Sequence, residues 1–300
     1  MAGELVTRPG HIEIGDVLLG PGTPFRWRSL TGWEESPGLD SGTVTRADAH
    51  GGFPGRLLAQ PRTITVEGLV VRTEPGLVGA AVRALAAATA LRDDEQPLVV
   101  QLDATPPLMC YARCIRRAIP VEAGGYAVGV AVGGALQFEA TDPRRYTAVE
   151  QTVETRLPQP EPGLDWHLAP GPEGLGWPLE FGTPGSTGTM TAVNSGDAPA
   201  HPTVSFRGPV ERPSLTSITT GVVIEYDIAL GDGDVLVIDT AAGTVTLNGS
   251  ASRLHTVTAR STPEQLFTIS PGASTLAFRA APWSTDPRAD CTVTWRSAYW

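Results

Sequence analysis

The side chains that could do chemistry in this sequence are three cysteines, five histidines, a short run of aspartates and seven tryptophans. Cys110 and Cys114 stand four apart in a segment that reads as strand. Both thiols would then share one face about 13 Å from each other, too far for a disulfide. Neither they nor Cys291 has a second cysteine pair to complete a zinc site, so free buried thiols are expected. His11, His50, His167, His201 and His255 are scattered with no metal-ligand spacing. Gly185-Ser186-Thr187-Gly188 has the look of a nucleophile elbow, but Pro184 occupies the place of the first glycine, and a turn is the better reading. Asp232, Asp234 and Asp239 lack the alternating oxygens and terminal glutamate of a calcium loop and read as turn residues. Asn248-Gly249-Ser250 fits an N-glycosylation pattern and, more simply, a hairpin turn. Trp27, Trp33, Trp166, Trp177, Trp283, Trp295 and Trp300 suit a core or a subunit interface, or stacking on sugar rings, and Trp283 is the candidate glycan contact. No pair of carboxylates is marked out for hydrolysis, so no catalytic, cofactor-binding or metal-binding residue is assigned and no enzyme is expected.

The elements that must carry these residues follow from composition. The chain has 300 residues, 41% of them hydrophobic, which allows a sizeable core in one large or two ordinary domains. With 34 glycines and 27 prolines, long helices are excluded and short strands joined by turns are favoured. The formal net charge is −10, every Lys-or-Arg position is Arg, and no basic run occurs, so tight binding to a phosphate backbone is not expected. The absence of lysine also removes a phosphate loop of the usual kind. Met1 to Leu5 does not open a secretory signal, and no apolar run approaches the roughly 20 residues that span a bilayer, so a soluble protein made in the cytoplasm is the expectation.

Along the chain, residues 11–20 read as a strand pair, and a polar, Gly-rich passage from Ser29 to Gln60 reads as a long loop placed to reach a neighbour. Arg62 to Gly68 alternates as a strand. The one helix is expected after Pro75, with Leu77, Val78, Ala81, Val82, Leu85, Ala88 and Leu91 on its apolar stripe. Leu98–Leu102, Met109–Ile119 and Tyr126–Ala140 follow as strands. A proline-spaced stretch, 155–178, is read as a linker between domains at 1–154 and 179–300, with a surface excursion of a single domain as the other reading. Beyond it come strands at 179–181, 187–194, 203–207, 221–230, 235–239, 244–248, 265–270, 275–280 and 291–296, the pattern of a β-sandwich.

Four motifs punctuate this order. Asp142-Pro143-Arg144-Arg145-Tyr146 closes the first domain. Gly196 and Pro202, six apart, lead into the strand that ends at Arg207-Gly208. Gly233-Asp234-Val235-Leu236-Val237-Ile238-Asp239 opens a hairpin, and Pro271-Gly272 precedes a strand carrying Leu276 and Phe278. In this order they resemble the distal tail protein family of siphophages. The resemblance implies a mainly β protein, with a tail-tube-like β-sandwich or split barrel carrying one helix, then a galectin-like β-sandwich. It implies a structural virion protein: a homo-hexameric ring at the tail tip, between the major tail tube protein and the tail-associated lysin hub, contacting the tape-measure protein and in some relatives a receptor-binding protein. DNA would pass through the ring without specific binding. The family-motif residues carried over as structural are Asp142, Pro143, Tyr146, Pro202, Gly208, Asp234, Asp239, Pro271, Gly272 and Phe278. A carbohydrate-binding or adhesin sandwich without ring assembly is the alternative.

Overall fold

The computed structural model describes residues 2–159 and 185–300, and the chain divides into two compact units, residues 1–148 with Tyr299–Trp300, and residues 149–298. The second unit thus takes in 149–154, which the sequence segmentation assigned to the first domain. Most of the proline-spaced stretch, and the strand read at 179–181, lie outside the described residues.

In the first unit the strands are β1 (His11–Ile14), β2 (Val17–Leu19), β3 (Phe25–Arg26), β4 (Ser29–Thr31), β5 (Arg62–Arg72), β6 (Gln96–Gln101), β7 (Leu108–Ala118), β8 (Val130–Ala140) and β9 (Arg145–Thr147). They hydrogen-bond in the order β2-β1-β6-β7-β8-β5-β3, with β4 on β5 and β9 on β7. The two ends of this path meet where the Gly20 N–H donates to the Phe25 carbonyl at 2.8 Å, so the sheet is nearly closed and barrel-like. Closure protects edges that would otherwise pair with other chains. Alternation dictates what fills it: Ile64 and Val66 on β5, Leu98 and Val100 on β6, and Leu136 and Phe138 on β8 are buried in one cluster. Gly68, at φ +65°, sits where the β5–β8 register shifts, and the buried set moves from even positions to Leu69 and Val71 beyond it.

The helix α1 (Val78–Ala88) buries Val78 and Leu85. It is shorter than the apolar stripe suggested: Leu77 is its N-cap, and Leu91 lies past its end, 88% exposed. Its last turn is held from the sheet, where Arg117 donates to the carbonyls of Ala86 and Thr89 at 3.1 and 3.0 Å. A second, short helix, α2 (Ala123–Ala127), takes Tyr126 out of the strand expected to begin there. The Ser29–Gln60 passage is no plain loop. After β4 it forms an extended hairpin of two short ladders, Leu39–Asp40 with Leu58–Ala59 and Val44–Thr45 with Gly52–Phe53.

The second unit is a β-sandwich. One sheet contains β10 (Gln151–Arg156), β12 (Thr203–Arg207), β15 (Val235–Asp239), β16 (Thr244–Leu247) and β18 (Asp290–Trp295), in the order β10-β18-β12-β15-β16, ending on Ala251–Ser252. The other runs β11 (Thr189–Asn194), β17 (Gly272–Arg279), β13 (Ser214–Ser217), β14 (Val223–Glu225). Phe206 of the first sheet stacks on Phe278 of the second with ring centroids 5.6 Å apart, at the centre of a core that includes Val204, Leu236, Ile238, Leu276 and Val293. Two expected strands differ. Residues 221–230 form β14 and a separate two-residue strand, Ala229–Leu230, because Tyr226 turns inward between them and donates to buried Glu264 at 3.0 Å. That same glutamate opens a 3-10 turn, Glu264–Leu266, so 265–270 is a turn plus one isolated bridge, Ala200 with Ile269.

Candidate functional site

The motif that closes the first domain builds a half-buried lock. Both Asp142 carboxylate oxygens are used: Arg144 donates from Nε at 2.8 Å and from Nη2 at 2.8 Å, and the Tyr146 hydroxyl donates at 2.5 Å. Burial pushes the Asp142 pKa up, but the hydrogen bonds and charge of Arg144 outweigh it and hold the carboxyl below its usual range. Burial and the Asp142 charge both push the Tyr146 phenol up.

Pro143 supplies a backbone acceptor rather than a side chain. Its carbonyl takes Nε of Arg62 at 2.8 Å, while Nη1 of Arg62 donates to the carbonyls of Gly32, Trp33 and Glu35 at 2.8, 3.1 and 2.6 Å. Arg62 is 2% exposed, and desolvation followed by the charge of Arg145 lowers its pKa. Arg145 pairs with Glu34 at 2.9 Å and donates to the Trp300 carbonyl at 2.6 Å. One buried guanidinium therefore fixes the root of the hairpin arm to the end of β8. The arm beyond this root exposes Leu39, Val44, Phe53, Leu57 and Leu58. It is an apolar projection on a rigid base.

Sequence reasoning missed Arg62 as a site residue. Its signal is an arginine at an inward position of an alternating strand, a place that calls for buried acceptors.

The other motif residues lie in the strands and turns of the second unit. Gly196 lies where a Cβ would come 1.7 Å from the Ala298 carbonyl oxygen, and Gly208 where one would come 2.1 Å from that of Gly231. Pro202 offers its carbonyl to the Thr240 hydroxyl at 2.7 Å. Asp234 accepts the Gly231 N–H and the Asn248 amide, each at 2.9 Å, which lowers its pKa through those bonds. Asp239 accepts the N–H groups of Ala241 and Ala242 at 2.9 Å. Asp232 instead pairs with Arg288 at 2.9 Å, so the three aspartates have separate partners, Asp234 and Asp239 each within its own turn. Asn248 and Gly249 have positive φ of 52° and 77°, as the hairpin reading requires. Gly272 begins β17 at φ +90°, just after Pro271.

The thiols and hydroxyls lie where structure uses them. Cys110, Cys114 and Cys291 are free, and burial pushes Cys110 up to about 12 and Cys291 well above its ordinary value. The Ser186 hydroxyl accepts the Gly188 N–H at 3.1 Å and donates to the Arg156 carbonyl at 3.2 Å, which makes a turn. His11 is buried, with Nδ1 accepting from the Thr7 N–H and Nε2 against the Pro21 carbonyl at 2.9 Å. Among the described residues no group of three or more His, Cys, Asp or Glu could hold a metal ion. Trp283 stands apart, 70% exposed on the loop after β17.

The chain thus combines a nearly closed barrel-like sheet bearing an arm with a β-sandwich whose motif residues bond within their own turns and strands. Residues 195–299 match the model of the siphovirus-type tail component family, C-terminal domain. No curated protein sequence matches the chain. Among solved structures it is similar to the distal tail protein of phage SPP1, described as a paradigm of the hub adsorption apparatus in phages infecting Gram-positive hosts. That likeness has 13% identity and a TM-score of 0.62, covering 92% of this chain and 94% of that one. Chains of the phage P2 baseplate in its activated conformation, with calcium and with strontium, are similar at 10% identity, covering 96% of this chain and 98% of theirs, with TM-scores of 0.53 and 0.52. The resemblance to distal tail proteins read from the motifs is thus borne out, by sequence over the C-terminal domain and by fold along nearly the whole length.

Proposed function

We propose that this chain is the distal tail hub of a long-tailed phage or prophage. Six copies would close into a ring that joins the tail tube to the tail-tip apparatus. The observation that carries this reading is the fold likeness to a phage hub protein over 92% of the chain, together with the tail-component domain at 195–299. A closed ring needs two different faces on each copy, and an arm rooted by Arg62 with exposed Leu39, Val44, Phe53 and Leu58 supplies one of them. An acidic protomer, net −10, suits a channel through which DNA slides, since no counterions are released on contact. The role is structural rather than catalytic. Its partners would be further copies, the tail tube, tape-measure and lysin-hub proteins and, at the outer domain, a receptor-binding protein, and its place the virion.

Negative-stain electron microscopy and light scattering of the purified protein test this. Annular particles of six-fold symmetry are expected. A strict monomer at high concentration, also in the presence of tail-tube protein, would overturn it.

A further inference from the structure

A single exposed aromatic ring is ordinary, but one that walls a cleft of ligand size is a candidate binding surface. Trp283 is such a ring. Its loop is tied down at each end: the Ala281 N–H donates to the Glu211 carbonyl at 2.9 Å, and Ser284 donates to Ala281 at 2.8 Å while its hydroxyl accepts the Glu211 N–H at 3.0 Å. Arg288 pairs with Asp286 and Asp232, each at 2.9 Å. The indole N–H donates to the Glu211 carboxylate, which pins the ring by its edge. Two clefts adjoin it, of about 550 and 180 Å³, and Trp283, Glu211 and Ala229 line both, so the indole is a shared wall. The larger falls within the usual size range of small-ligand pockets, about 300–1,000 Å³.

The geometry points to a binding site for an uncharged saccharide at these clefts, with the C–H face of one sugar ring stacked on Trp283. Around the ring stand acceptors for sugar hydroxyls, in the carboxylates of Glu211, Asp227 and Asp286, and hydroxyls on Ser284 and Thr285. With the three carboxylates set against Arg212, the one arginine of the lining, the rim stays net negative and disfavours an anionic polymer. A cationic ligand finds the countercharges already engaged, Asp227 by Arg212 at 3.2 Å and Asp286 by Arg288 at 2.9 Å. Trp283 is also the one aromatic side chain lining either cleft, where a cage for an organic cation needs several. Pro209, Val210, Ala229, Leu230 and Pro287 also line the larger cleft, an apolar patch far smaller than the broad apolar centre a protein partner would want. The site belongs to the second unit alone and does not rest on ring assembly.

The test uses the full chain and saturation-transfer NMR with methyl glycosides and disaccharides of glucose, galactose, mannose and N-acetylglucosamine. Poly(glycerol phosphate) and an arginine-rich peptide serve as charged counter-probes. Saturable binding of at least one neutral sugar is expected, with a dissociation constant of about 1 mM for so open a site. Trp283→Ala should weaken it at least about tenfold, and Trp283→Phe, which keeps a stacking face, by less. Ile218→Ala, at another exposed apolar side chain, should leave it unchanged. Glu211→Gln gives a second variant that keeps the loop's backbone bonds, and it should also weaken binding. Binding of no sugar, binding that survives Trp283→Ala in a folded protein, or preference for either charged probe would overturn the proposal. Particle shape, measured on the same sample, reports on the ring separately.

Discussion

Arg62 shows how much one side chain can decide. It donates to four backbone carbonyls, from Gly32, Trp33, Glu35 and Pro143, in a place with almost no access to water. Removing it by Arg62→Met leaves those acceptors buried and unpaired, at a cost of at least about 3 kcal/mol in urea unfolding. Arg62→Lys keeps the charge but gathers its donors on one nitrogen, which cannot span carbonyls on both sides, so it should recover less than half of that loss. Asp142 makes a different, pH-dependent contribution. Its pKa in the fold lies below the unfolded value of about 3.9, so the stability it provides is present above about pH 4. That stability is lost as the pH falls through the depressed value. Asp142→Asn should therefore lower stability at neutral pH by about 1–3 kcal/mol and flatten the acid limb of a stability-against-pH curve. An unchanged acid limb would show that Asp142 does not carry it. None of the acceptors of Arg62 was legible in the sequence, because backbone carbonyls from residues 27 to 81 positions away leave no residue type to read. The Asp142-Pro143 and Tyr146 pattern was singled out through the family resemblance alone, and the bonds that Arg144 and Tyr146 donate to Asp142 were not read from it.

At the scale of elements, the sandwich strands were readable because Val204 and Phe206, Leu236 and Ile238, and Cys291 and Val293 alternate strictly between core and surface. The arm was not, since its ladders are two residues each and its apolar side chains point to water. Nor was the 3-10 turn at Glu264, where a buried tyrosine hydroxyl overrides a strand-like pattern. The turns that hold the sandwich together are correspondingly intolerant. Gly196→Ala puts a methyl group 1.7 Å from the Ala298 oxygen, so backbone must move, and a loss of more than about 3 kcal/mol is expected. Gly124→Ala, in α2 with nothing within 4 Å, is the matched control and should be neutral or slightly stabilising. Leu39→Ser, Val44→Ser and Leu58→Ser combined act on exposed positions and should shift unfolding by less than about 1 kcal/mol. If the arm joins copies of the chain, that folded variant forms no annular particles in the microscope, and rings of normal yield would remove the arm from the assembly.

For the whole molecule, each unit has its own core, and the question is where one can be cut from the other. Composition alone favours a cut in the proline-spaced stretch. Strand pairing argues for an earlier one. Every residue of β10, from Gln151 to Arg156, is paired with β18, from Trp295 back to Asp290. A fragment of residues 149–298 keeps that edge covered and should unfold cooperatively as a monomer. A fragment of residues 179–298 lacks β10 and bares the full length of β18, whose outer row of N–H and C=O groups is then a template for another chain. It is expected to aggregate on concentration, or to lose several kcal/mol relative to the longer fragment. Analytical ultracentrifugation and urea titration of the two fragments separate these outcomes. If both prove equally stable and monomeric, β10 is dispensable trim on the sandwich, and the boundary belongs where the prolines begin.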